Sequence, residues 1–255
     1  MRLSIDLAEV DNSNEFHFGG FMERRAFIKA ATLVAAAGLT KPSIGSEKSS
    51  DLITQNSFSY DHKPKPLSFK PNAKNGLSEK LIISHWENNY SGSVKALNEI
   101  RKRLKEATTT KEVPPYVYND LKREHLMRTG SVVNHELYFD NLGGNGKATS
   151  NAEGYISKAF GSFAAWEEEF RKIANGLGGG SGWVILGYNS HLKTLENYWA
   201  YDHMHGPLMT TPLLVMDMYE HSYHLDYGAA AAKYIDAFFR NINWEVVGQR
   251  LEALS

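Results

Sequence analysis

The sequence predicts an α+β fold, an N-terminal antiparallel helical hairpin followed by a small three-stranded antiparallel sheet with helices. Three observations predict it. Apolar residues recur at helical spacing over two long stretches of the first half, a glycine-rich turn at 176–182 marks a change of texture, and short apolar runs bounded by turn residues follow it.

From Leu77 to about Lys105 the apolar face reads Leu81, Ile82, His85, Tyr90, Val94, Leu97 and Ile100, with Ser78 placed to cap the helix. After the Pro114-Pro115 break, Tyr118 to Leu142 reads as a second helix stopped by Gly143-Gly144. Two long helices joined by a short loop make the hairpin, assigned to residues 67–149. A second region, 150–255, is an α/β metal-binding unit. In it, Ala152 to Phe160 and Ser162 to Asn175 are shorter helices leading into Gly176 to Gly182. Trp183 to Tyr188 and Lys193 to Trp199 flank the turn Asn189-Ser190 as strands, and Pro212 to Met216 is a third. Helices from Ala229 and from Trp244 close the chain.

The first 45 residues have a different character. From Met22 the chain runs MERRAFIKAATLVAAAGLT, in which Arg24-Arg25 precede Phe27, Lys29 and an apolar run from Ala30 to Leu39. That run is too short to span a bilayer, and Ser43 and Gly45 are small residues just before a cleavage point near Ser46. The segment reads as a twin-arginine export signal, with translation able to start at Met22. Export to the periplasm without a stable membrane span is therefore expected, a retained N-terminal anchor being the alternative. Residues 46–66 are polar, lack a hydrophobic period and are expected to form a disordered linker.

Charge excludes some classes of partner. Twenty-eight basic against 29 acidic residues leave a net charge of −1, which offers no footprint for nucleic acid. The absence of cysteine removes disulfides, thiolate metal sites and cysteine nucleophiles together. Any metal must be held by histidine and carboxylate, and the chain has 10 histidines.

Asp217 and His221 stand four residues apart, so a carboxylate and an imidazole can face each other. His85 in IISHWENNY and His135 in VVNHELYF each sit on an apolar face of a predicted helix. Any one of these histidines alone is more often a buried core residue. Together with Asp217 they form a nitrogen and oxygen donor set suited to iron, manganese or zinc.

Several segments carry a resemblance. GLSEKLIISHWENNYSGSVKALN and NHELYFDNL are similar to the two ligand helices of the iron/manganese superoxide dismutases. GSGW at 180–183, PLLVMDMYEHSYHLDY at 212–227 and NINW at 241–244 resemble that family's further motifs, in the same order, from about Leu67 to the end. The resemblance implies one iron or manganese ion per subunit, held by His85, His135, Asp217 and His221. Such an ion is oxidised and reduced in turn by two superoxide ions. It also implies that His203 hydrogen-bonds the solvent ligand of the metal, with His205 as the alternate, and that the chain forms a homodimer or a tetramer. Asn89, Ser93, Trp183, Tyr219, Glu220 and His224 fall around the metal or at the subunit contact, where Glu220 would meet His221 of the other chain.

There are departures. Ser93 stands where the family has a gateway tyrosine, Asn89 where it has a histidine and Ala231 where it has an arginine near the substrate funnel, with Lys233 close by in sequence. Tyr90 is the candidate to supply a phenol in place of the missing one, although an ideal α-helix sets it about 140° around from His85. Gly130-Ser131 resembles the manganese enzymes, whereas Tyr138 and Tyr201-Asp202-His203 resemble the iron ones. Competing readings are an exported metal-binding member of the fold that has lost turnover, and a non-haem iron oxygenase built on two histidines and a carboxylate.

Overall fold

The computed structural model describes residues 57–254 except Lys74 and Lys111. The expected export signal and the linker as far as residue 56 lie outside the described residues.

Ser78 opens the first helix, its hydroxyl accepting from the Leu81 amide at 3.0 Å, and Asp226 fixes Ser78 in turn through two bonds of 2.7 and 2.6 Å. The helix is continuous but changes pitch. Glu79–Ser84 is α1, His85–Tyr90 is a π-helical turn, and Ser91–Thr109 is α2, the Ser91 amide donating to the Trp86 carbonyl five residues back. The π turn corrects the α-helical expectation for Tyr90. Where the hydrogen bond runs five residues back, residue i+5 lies about one turn from residue i. Tyr90 is therefore swung onto the inward face beside His85, and it is 1% exposed.

Pro114 and Pro115 set the entry of α3 (Pro115–Asp140), proline being accepted at a first helical turn whose amides have no carbonyl to bond. α2 and α3 form the expected hairpin, and Val94 and Leu97 of the one and Val132 and Phe139 of the other enter the same hydrophobic core. α4 (Ser150–Phe160) and α5 (Phe163–Gly176) are N-capped by the Thr149 and Ser162 hydroxyls.

The sheet has the order β2-β1-β3, with β1 (Trp183–Asn189) antiparallel to both β2 (Thr194–Ala200) and β3 (Thr210–Asp217). Trp183 pairs with Asp217 across β1 and β3, so the start of one strand lies beside the end of the other. The register slips by one residue at Leu186/Gly187, a bulge that leaves Leu213 as the extra residue, and β3 is buried at every position from Leu213 to Asp217. Gly182 precedes β1 with φ of 138°, and a Cβ there would come within 2.4 Å of the Ala200 carbonyl, so the GSGW sequence needs glycine at this point.

After β3 come a 3₁₀ turn (Glu220–Ser222), α6 (His224–Tyr227), α7 (Ala231–Arg240) and α8 (Trp244–Glu252). Arg250 on α8 ties three elements together, donating to Asn141 Oδ1 at 2.7 Å and to the Leu213 carbonyl at 2.8 Å. Asn141 is buried and also donates to the Val215 carbonyl at 3.0 Å. One hydrophobic core runs from Leu81 and Tyr90 through Trp183 and Val215 to Phe238 and Leu251.

Residues 57–66, expected as part of a disordered linker, are instead an extended strap bonded across the hairpin. The backbone of His62 exchanges bonds with Asn98 at 3.2 and 2.9 Å, and that of Lys65 with Tyr90 and Trp86 at 2.7 and 2.9 Å. The strap is held through its peptide groups, so hydrophobic periodicity carries no trace of it.

Candidate metal centre

His85 comes from the π turn, His135 from α3, Asp217 from the last position of β3 and His221 from the 3₁₀ turn beyond it. Their ligand atoms lie within 4.8 Å of one another, and among the described residues this is the one such group of histidines and carboxylates. Asp217 Oδ2 is central, 3.2 Å from Nε2 of His85, 3.5 Å from Nε2 of His135 and 3.2 Å from Nε2 of His221. The other carboxylate oxygen accepts from the Tyr219 amide at 2.8 Å, which fixes the rotation of the group.

The polar atoms fit a metal ion. Nε2 of His85 and of His135 is buried without a hydrogen-bond partner, which in an interior without an ion is a costly arrangement. His135 Nδ1 lies 2.7 Å from the Ser131 carbonyl, which can only accept, so Nδ1 carries the proton and Nε2 presents its lone pair to the centre. Burial, reinforced by the neighbouring charge of His85, pushes the His135 imidazole down to about 3. Burial alone would raise the Asp217 carboxyl, but the charge and hydrogen bond of His221, with the adjacent His85 imidazole, outweigh it and hold the group below the usual carboxylate range. Three imidazole nitrogens and one carboxylate oxygen are a donor set for iron, manganese or zinc.

Around this centre stands a wall of rings. Tyr138 and Phe139 lie 5.2 and 5.0 Å from the His85 ring, and Trp183 lies edge-on 5.1 Å from His135. Behind Asp217, the Tyr234 hydroxyl donates to its main-chain carbonyl at 2.6 Å and lies 3.3 Å from the Tyr138 hydroxyl. Burial raises both phenols above their ordinary range, so they stay protonated.

His203 is brought to the centre and His205 is not. The His203 ring stacks on Tyr219 at 4.6 Å and lies 6.0 Å from His135, while exposed His205 bonds Asp202 at 2.7 Å. Trp183 Nε1 donates to His203 Nδ1 at 3.1 Å. An indole nitrogen can only donate, so the neutral His203 ring keeps its proton on Nε2, free to be given to a group in the site. Gly130 makes this placement possible, since a Cβ on it would sit 1.8 Å from the His203 carbonyl oxygen.

A cavity of about 290 Å³ opens onto His135 and His221, walled by Asn89, Ser93, Arg128, Ser131, His203 and Tyr219. Ser93 Oγ is bonded to Ser131 Oγ at 2.8 Å, and Ser131 Oγ lies 3.3 Å from His135 Nδ1. Tyr90, for all its burial beside the ligands, does not wall this cavity. Its hydroxyl donates to Glu136 at 2.9 Å and accepts from the Lys65 amide. Ala231 is buried at the start of α7, Lys233 is exposed, and Glu220 and His224 are exposed on the single chain.

Sequence reasoning missed Glu136, Arg128 and Tyr234. Glu136 follows a ligand within an apolar run, and a carboxylate in that setting is a signal for partners elsewhere; it gathers His62, Lys65 and Tyr90. Arg128 and Tyr234 carried no such signal.

Comparison with known proteins bears on the same residues. The family profile described as "Iron/manganese superoxide dismutases, C-terminal domain" matches residues 148–250. The chain is 49% identical over 189 residues to a superoxide dismutase (Fe) of Cupriavidus metallidurans, covering 74% of this chain and 95% of that protein. It is 35% identical over 199 residues to a superoxide dismutase (Fe) of Aquifex pyrophilus, covering 75% and 92%. It is also 35% identical over 180 residues to a superoxide dismutase (Mn) of Mycolicibacterium fortuitum, covering 69% and 86%.

Proposed function

The chain belongs to the iron/manganese superoxide dismutase family, and from that premise we infer that it converts superoxide to dioxygen and hydrogen peroxide with one iron or manganese ion per chain. The observation that carries this is the buried group of His85, His135, Asp217 and His221, with two imidazole nitrogens left unbonded and aimed at Asp217. A third histidine in the group is one more than the two-histidine, one-carboxylate oxygenases use. When bound, the metal supplies a one-electron couple, so that two superoxide ions and two protons give one dioxygen and one hydrogen peroxide.

The protein's own residues do the rest. Asp217 brings a fixed negative charge, and the Ser131 carbonyl sets the tautomer and tilt of His135. His203 holds a proton on Nε2 beside the ligands, oriented by Trp183. Trp183, Tyr138 and Phe139 pack against the rings of His85 and His135 and keep water from those faces, which lowers the local dielectric around the couple. Bound iron, bound manganese and superoxide consumption, measured together on the metal-loaded protein, test the reading. Metal binding without superoxide consumption would overturn it.

Two further parts of the proposal concern the whole chain. Arg24-Arg25, the apolar run Ala30 to Leu39 and the small residues before Ser46 support export to the periplasm by the twin-arginine route. Among the described residues no helix is long and apolar enough to cross a membrane. Changing Arg24-Arg25 to Lys-Lys should leave the active enzyme in the cytoplasm; unaltered processing would point to another route. A homodimer is supported by Glu220 and His224, which face solvent next to the centre, and by Asn89 on the cavity rim. In it Glu220 bonds His221 of the second copy, and Asn89 meets the His224 imidazole. The variants Asn89→His and His224→Tyr, made singly and together, should couple by about 0.5–3 kcal/mol in dimer stability if the residues touch. Additive effects, or a monomeric protein in solution, would remove the contact.

A further inference from the structure

The cavity above the metal centre contains one charged side chain of fixed sign. Its walls are otherwise amides, hydroxyls, a phenol and imidazoles. Arg128 on α3 is the only lysine or arginine among the residues that line it, and no carboxylate is among them. Arg128 lies about one helical turn N-terminal to Ser131, whose carbonyl orients His135.

Its counter-charge lies outside the cavity lining. Glu124 is the carboxylate paired with it, and the contact is long, 3.4 Å from Nη2 to Oε2. The same carboxylate is engaged through its other oxygen by Arg123 at 3.2 Å. Arg123 also reaches Asp120 at 3.9 Å, so these four groups balance in number, but Arg128 is the one of them that lines the cavity, and the charge at the cavity wall is therefore positive. The side chain is 35% exposed, so solvent weakens the field outward, while the buried walls of the cavity carry it inward.

We propose that Arg128 is the residue that draws the anionic substrate into the site, a steering and positioning group for small univalent anions at the cavity mouth. The proposal rests on the reading of the centre as a superoxide dismutase, and it gives the cavity its selectivity for anions over neutral molecules of the same size. No bond is made or broken by Arg128. It raises the local concentration of the anion and leaves the electron and proton steps to the metal and to His203.

The experiment compares wild type with R128Q, R128K and E124Q on iron-loaded protein. Two quantities are read as a function of ionic strength, kcat/KM for superoxide and the dissociation constant of azide measured by absorbance. Azide is a small univalent anion that is not turned over, so its affinity tests Arg128 independently of dismutation. At about 0.01 M ionic strength, where screening extends over about 30 Å, R128Q should lower kcat/KM about 3- to 10-fold and weaken azide by a similar factor. At about 1 M the two proteins should converge, and R128K should recover most of the loss. E124Q frees Arg128 from its partner and should raise both quantities at low salt. R128Q that keeps its metal with unchanged kcat/KM and azide affinity overturns the proposal. So does a loss equal at every ionic strength, which marks a packing role. If R128Q fails to retain metal, E124Q decides by its low-salt rate, an increase supporting the proposal and no change overturning it. Wild type that binds azide without consuming superoxide would instead refute the assigned activity.

Discussion

Adding one methyl group at Gly130 should disable the site without touching a ligand. A Cβ there would lie 1.8 Å from the His203 carbonyl oxygen and 2.9 Å from its carbon, where real Cβ atoms essentially never come under 3.0 Å. The His203 backbone must then retreat by about 1.2 Å, the difference between those limits, because a peptide group cannot rotate aside as a flexible side chain can. Two terms oppose each other. Alanine is favoured over glycine inside a helix by about 1 kcal/mol, and overpacking costs about 1–3 kcal/mol. Because the clash is with backbone, the second term sits at the upper end of its range and wins, giving a net destabilisation of up to about 2 kcal/mol and a fall of a few degrees in Tm. Function suffers more than stability. A shift of that size breaks the 3.1 Å bond from Trp183 to His203 and the 4.6 Å stack on Tyr219, and a misplacement of about 1 Å can cost about 100-fold in turnover. Calorimetry, metal analysis and the dismutation rate on Gly130→Ala test this. Turnover within about twofold of wild type, with unchanged Tm, would show that His203 is not held as described.

Other perturbations separate the parts of the site. His135→Ala and Asp217→Ala should each abolish metal retention, seen by elemental analysis, whereas His203→Ala should keep the metal and slow turnover or shift its pH profile. Metal-stripped protein should lose stability on acidification. His135 is held below its ordinary value of 6.5, so its contribution is complete above that pH and is lost as pH falls, because the unfolded chain takes up a proton that the folded one refuses. Between pH 6.5 and 5 this amounts to up to about 2 kcal/mol, readable as a falling urea midpoint; a midpoint that rises on acidification would contradict the burial of that imidazole. Glu136→Gln removes the charge that holds His62 and Lys65, at a cost of about 1–3 kcal/mol, and should speed proteolysis within residues 57–66; unchanged cleavage would mean that the strap is held by its backbone bonds alone.

The helices and strands were legible because each buries one face, and burial prints a period on the sequence. The second helix begins three residues earlier than its apolar pattern suggested, since Pro115 can start a helix without contributing to that pattern. The π turn left no such print. Its extra residue is absorbed within a run that reads as apolar face in either geometry, and only the α-helical count of about 140° from His85 to Tyr90 changes with the pitch. The four clustered side chains were legible because they recur within recognisable segments. Their supports were not, because the Ser131 carbonyl, the Trp183 indole and the Glu136 carboxylate act across 4, 20 and 74 residues of chain through single hydrogen bonds, and a hydrogen bond imposes no period. The same holds for Arg250, whose guanidinium closes α8 onto α3 and β3.

The four metal-facing residues are also spread widely in order of synthesis. His85 is the first and His221 the last, 136 positions further along the chain, and Asp217 is made only four residues before the end of that interval. At about 5–20 residues per second, a ribosome takes about 7 to 27 s to pass from one to the other. During that time the nascent chain can offer an incoming ion two imidazoles on a helical hairpin and no carboxylate. The central oxygen arrives with β3, and the strand is locked in place only when Arg250, still closer to the C-terminus, reaches Leu213 and Asn141. The centre is thus a late product of translation, and a chain released before α8 would lack the lock that holds Asp217 in register. Metal capture is in this way conditional on a finished polypeptide.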